Sequence, residues 1–162
     1  MATVCYPAIP AVPGRDAVIN TDANLGWNAG AVSISAQSGD AQAEFVFGVG
    51  NVGSLVGIAP PGSISGEFNA ITHGVLYTGD TLQIVESGVM VEDSAIEPSV
   101  GTIVTIRRVG SVVSYSVDSW SYTSAAASYG DVQLAAALYA AGDYVDNPAL
   151  AGLVSVSTES TW

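Results

Sequence analysis

The 162-residue chain is 49% hydrophobic but only 11% charged, and three basic residues against fifteen acids give a net charge of −12. A chain of this length buries a core within one domain, and so acidic a surface repels phosphate backbones, which excludes nucleic acid as a partner. One cysteine excludes an internal disulfide, one histidine excludes a His–His metal pair, and no apolar run approaches the length of a membrane-spanning helix.

The first residues, MATVCYPAIPAVPG, lack the basic start and continuous apolar stretch of a signal peptide. Pro7, Pro10 and Pro13 recur every third residue, which suits a polyproline II run and does not suit a central strand. Residues 1–26 therefore read as an extended arm. Val4, Tyr6, Pro7, Ile9, Pro10, Val12 and Pro13 are the expected anchors on a neighbouring subunit.

From Trp27 onward the pattern is that of an all-β domain, residues 27–162. Short Val-, Ile-, Tyr- and Phe-rich runs alternate with Gly, Ser, Asn and Asp, as in a sandwich or barrel. The runs predict strands at 31–36, 42–49, 54–59, 71–78, 81–86 and 89–93, the last two joined by a tight turn at Ser87-Gly88. Further strands are expected at 102–109, 111–118, 120–124 and 152–158.

Between the second and third of these runs, GVGNVG at 48–53 spells a dinucleotide-binding pattern. That site needs a helix after the glycines, and Pro60-Pro61 would break one, so the stretch reads as a glycine-rich turn. His73 reads as a sheet-face residue. No Gly-x-Ser-x-Gly occurs, since GSISG places Ile64 at the nucleophile position, and Cys5 is far in sequence from His73. Glu92 and Asp93 are adjacent on one strand and so point to opposite faces, which does not suit a hydrolytic carboxylate pair.

The stretch TIVTIRRVGSVVSYSVDSWSYTS carries the strongest signal. Period-2 alternation puts Ile103, Thr105 and Arg107 on one face and Val104, Ile106 and Arg108 on the other. Val113, Tyr115 and Val117 likewise share a face, and Asp118-Ser119 stands where a hairpin turn is needed. The result is a three-stranded meander. Trp120 at the rim and Arg108 beside it are the expected ligand or partner contacts, with Tyr122 buried.

DVQLAAALYAAG at 131–142 has helical propensity, but Val132, Leu134, Ala136 and Leu138 also alternate. Flanking strands outweigh propensity, so a buried strand is predicted. Leu134 and Leu138 then join Val113, Tyr115, Val117, Val154 and Val156 in the core. In GDYVDNP, residues 142–148, Asp143, Asp146 and Asn147 offer calcium-type oxygens but spell no full ligand set. The segment reads as a turn before Pro148, with calcium left as an alternative.

Residues Thr102 to Asn147 resemble the back half of a concanavalin-like or laminin-G-like jelly roll. The Pro-Ala-Val-Pro arm followed by GWNAGAVSI resembles small virion proteins encoded among the tail or baseplate genes of tailed bacteriophages. These resemblances imply an antiparallel β-sandwich with an N-terminal arm, located in a virion. The implied role is a non-enzymatic tail, baseplate or decoration component, a homo-oligomer among other virion subunits with a host-surface glycan as a further partner. The alternatives are a free carbohydrate-binding lectin and a glycoside hydrolase. No cofactor and no metal are expected, and nuclease, esterase and glycosidase activities are expected to be absent.

Overall fold

The protein is described from a computed structural model, which describes residues 17–27, 29–62 and 68–153. In chain order the strands are β1 (Ala17–Ile19), β2 (Ala29–Val32), β3 (Ala41–Phe47), β4 (Ser54–Ala59), β5 (His73–Tyr77) and β6 (Leu82–Glu86). They continue as β7 (Val89–Asp93), β8 (Val104–Val109), β9 (Val112–Val117), β10 (Trp120–Thr123), β11 (Gln133–Leu138) and β12 (Tyr144–Gly152). A short 3-10 helix at Phe68–Ala70 precedes β5.

These strands form two six-stranded antiparallel sheets. Sheet A runs β1-β12-β3-β8-β9-β10, and sheet B runs β2-β11-β4-β5-β6-β7. The fold is an antiparallel β-sandwich, as the alternation predicts, and of jelly-roll type, as the resemblance implies. Its core is built from the inward residues of both sheets. Phe45, Phe47, Val104, Ile106, Val113, Tyr115 and Val117 come from sheet A, and Val56, Ile58, Val75, Leu134 and Leu138 from sheet B. Of the expected core, Val154 and Val156 lie outside the described residues.

The two outer faces differ. Sheet B is apolar on both sides. Leu55, Ala59, Val85, Ala135 and Ala137 point outward and are covered by Ile71, Trp27 and Phe68. Trp27 packs on Phe68 at 4.8 Å and edge-on against Tyr139 at 5.3 Å between ring centroids. Sheet A carries no such cover among the described residues; its outward positions are polar at Gln42, Glu44, Thr105, Arg107, Ser114 and Ser116 and apolar at Val46, Val109 and Val112.

Two expectations change. GDYVDNP is not a turn. It opens β12, the second strand from the edge of sheet A, which pairs with β1 on one side and β3 on the other. Asn147, at φ 48°, and Pro148 sit in a bulge between Asp146 and Ala149, so the proline's missing N–H is absorbed where the ladder is already broken. Second, residues 17–19 of the expected arm are a strand of sheet A, whereas the anchors Val4, Tyr6, Pro7, Ile9, Pro10, Val12 and Pro13 lie outside the described residues. The 131–142 segment contains strand β11, which lies between β2 and β4 in sheet B with its alanines buried, as the alternation predicts. No described helix is long and apolar enough to cross a membrane.

Candidate functional site

The meander places its two arginines on opposite sides of sheet A. Arg108 points inward and is 2% exposed. Its Nε and Nη2 donate to the carbonyl oxygen of Gly39, and its Nη1 donates to Ser128 Oγ and to the carbonyl oxygen of Gly130. This corrects the expectation that Arg108 contacts a ligand: alternation had put it on the core face, and three loop groups distant in sequence accept from its Nε, Nη1 and Nη2. Arg107 is the exposed one of the pair.

Trp120 and Tyr122 share the inward face of β10, half-buried against the core. Their rings stack at 6.4 Å with planes 8° apart, and Tyr122 also meets Tyr115 at 6.1 Å. The Tyr115 hydroxyl donates to Glu86 Oε1 at 2.9 Å and so ties sheet A to sheet B. Burial first, and then the Glu86 carboxylate, push the Tyr115 phenol far above its ordinary pKa. Both rings of β10 pack against the core.

The remaining sequence motifs are also structural. In GVGNVG, Val52 and Gly53 donate their backbone N–H groups to the two carboxylate oxygens of Asp143, which also accepts from Ala140 N. Asn51 accepts from Tyr144 N and donates to Tyr144 O, imitating a strand partner. Gly48 is needed because the Tyr144 ring lies against it: a Cβ there would sit 2.5 Å from Tyr144 Cε1. His73 is buried with Nε2 at 3.0 Å from the carbonyl oxygen of Ala126 and Nδ1 at 3.2 Å from Thr72 Oγ1. Asp143 is buried with its oxygens occupied, so it has no place in a calcium loop. No cluster of three or more potential metal ligands occurs among the described residues.

The outward face of sheet A brings together what the motifs do not. Cross-strand register aligns Ala149, Glu44, Thr105, Ser116 and Ser121 in one rung across five strands. The next rung is Ala151, Gln42, Arg107, Ser114 and Thr123. Directly paired residues on one face stand about 5 Å apart, so the rungs form a grid of short donors and acceptors. Gln42 Nε2 donates to Glu44 Oε1 at 2.8 Å, which holds both side chains along β3. Beside the grid runs a groove of about 480 Å³, whose walls include Glu44, Val46, Tyr144, Asp146, Val100 and Ile103. Asp146 pairs with Val46 and is therefore the diagonal neighbour of Glu44 on the same face. The polar half of each strand was visible in the alternation of Gln42/Glu44, Thr105/Arg107 and Ser114/Ser116. The register that lines them up was not.

No protein-family model and no curated protein matches the sequence. Solved structures do match. The PSpry domain of TRIM65 superposes with a TM-score of 0.54 at 14% identity, over 75% of this chain and 70% of that one. Alginate lyase AlgAT5 of polysaccharide lyase family 7 superposes with a TM-score of 0.51 at 11% identity, over 78% of this chain. The chain spans 63% of the lyase's length. Galectin-Ib of Xenopus laevis reaches a TM-score of 0.47 at 8% identity, over 76% of this chain and all of that one. The likeness is one of fold. It agrees with the jelly-roll sandwich and assigns no activity. The virion role rests on the arm, and the arm's anchors lie outside the described residues.

Proposed function

We propose that the protein is a non-enzymatic, lectin-like module that binds a glycan on the outer face of sheet A. The observation that carries this reading is the polar grid itself: Gln42, Glu44, Thr105, Arg107, Ser114, Ser116, Ser121 and Thr123 aligned on the sheet face that nothing covers among the described residues. Sugars present many hydroxyls, each both donor and acceptor, and each hydrogen bond contributes only about 1 kcal/mol net. Affinity for such a ligand therefore needs many partners held in place beforehand; the short Thr105, Ser114, Ser116, Ser121 and Thr123 lose little entropy on binding, and Gln42 and Glu44 already hold each other. The fold also hosts the alginate lyase to which this chain is similar, an enzyme named for a polysaccharide.

The test is binding of the intact protein to an oligosaccharide panel by calorimetry. Glu44→Ala and Thr105→Val are expected to weaken binding about tenfold each without changing the melting temperature appreciably, because both side chains face solvent or nearly so. Folded wild-type protein that binds no oligosaccharide defeats the reading.

One observation favours a second reading, a glycoside hydrolase. Glu44 and Asp146 line the same groove, Asp146 pairing with Val46 two residues along β3 from Glu44, so two carboxyl groups stand on one face of sheet A as a glycosidase requires. Release of reducing ends that disappears in both Glu44→Gln and Asp146→Asn would replace the lectin reading with this one.

A further inference from the structure

The charge inventory of the open face narrows the ligand class. The chain has no lysine and three arginines. Arg15 lies outside the described residues, and Arg108 is buried with its donors committed to loop carbonyls and Ser128. Among the described residues Arg107 is therefore the exposed cation. It stands in the middle of the grid, paired in register with Gln42 on one side and Ser114 on the other. Two acids flank Gln42 along the chain: Glu44 has its carboxylate engaged by Gln42 at 2.8 Å, and Asp40 accepts from the backbone N–H of Gly110 at 2.8 Å.

We propose that Arg107 makes this face selective for sugars that carry a carboxylate, that is, for an oligouronate. The proposal rests on the glycan-binding reading and deepens it. A guanidinium offers two parallel N–H donors that match a carboxylate, and the charge-assisted pair is about twice as strong as a neutral hydrogen bond. Gln42, Ser114 and Thr105 surround it with neutral groups suited to the ring hydroxyls of the same or adjoining sugar. The net charge of −12 opposes anions at long range, but at physiological salt the field of distant acids decays over about 8 Å. The local pair with Arg107 then decides which sugar is held.

The experiment compares three oligouronates of different linkage with their methyl esters and their carboxyl-reduced neutral counterparts, using the full chain and isothermal calorimetry. Wild type is expected to bind at least one oligouronate about tenfold more tightly than its methyl ester. Arg107→Met is expected to lose that preference while keeping the wild-type melting temperature, and Arg107→Lys to keep part of it. Equal binding of acid and ester by wild type, binding of neutral sugars alone, or a preference that survives Arg107→Met overturns the proposal and leaves glycan binding standing. No binding to any member of the panel or to neutral glycans overturns both.

Discussion

Arg108 turns its guanidinium onto a single carbonyl oxygen, that of Gly39, donating from Nε at 2.9 Å and from Nη2 at 2.6 Å. Gly39 lies in the loop that leads into β3, sixty-nine positions earlier in the chain. With Ser128 Oγ and the Gly130 carbonyl on Nη1, the side chain pins two loops to the end of β8.

Removing that pin deletes four hydrogen bonds from a charged donor that tie the Gly39 and Ser128–Gly130 loops to β8. Arg108→Met is expected to cost about 2–3 kcal/mol of unfolding free energy, since hydrogen bonds to a charged group contribute roughly 1.5–3 kcal/mol and their loop acceptors can turn to water. Arg107→Met, one residue away on the solvent side, is expected to stay within about 0.5 kcal/mol of wild type. Urea denaturation of the two variants side by side checks the contrast, and equal stabilities would contradict the assignment of faces.

Trp120 is half-buried against the core and stacked on Tyr122. Its truncation to alanine is expected to destabilise by about 2–3 kcal/mol, somewhat less than a fully buried aromatic. Oligosaccharide affinity should be unchanged, because the ring faces away from the grid. A loss of affinity with full stability would move Trp120 to the binding surface.

Asp143 accepts three backbone N–H groups and is 2% exposed. Asp143→Asn replaces one acceptor oxygen by a donor facing other donors, and a cost of roughly 2–4 kcal/mol is expected. Calcium and EDTA should both leave the wild-type melting temperature unchanged. A calcium-dependent rise would place a metal in the 142–148 segment after all.

Gly48 lies under the Tyr144 ring, with Asn51 Oδ1 2.6 Å from where a Cβ would stand. Gly48→Ala is expected to cost about 1–3 kcal/mol, the range for overpacking a filled site. Tyr144→Ala in the same chain should recover part of that loss, and a double-mutant cycle reads the coupling.

The Tyr115 phenol is raised far above its ordinary pKa by burial and by Glu86. Raising the folded pKa favours the protonated form in the fold. Its contribution is therefore complete below about pH 10, the unfolded value, and declines as pH climbs beyond it. Tyr115→Phe should flatten the loss of stability above pH 10, measured by denaturant midpoints from pH 8 to 11. An unchanged slope would show that other groups set the alkaline limit.

Alternation alone determined the layered fold and much of its core: Val113, Tyr115, Val117, Leu134 and Leu138 are buried because period-2 spacing puts each set on one side of a strand. It even assigned Arg107 and Arg108 to opposite faces. The error lay in taking the inward arginine for a contact residue, because the carbonyls of Gly39 and Gly130 that accept from it are brought there only by folding. Asn147-Pro148 signals a turn locally, and only pairing with β3 on one side and β1 on the other turns it into a bulge within a strand. The grid depends on the same kind of information. Each strand states which of its residues point outward, but cross-strand register is a long-range property, set by which strands become neighbours. That pairing of distant segments placed Arg107 between Gln42 and Ser114, and the cover of Trp27 and Phe68 over sheet B left sheet A as the open face.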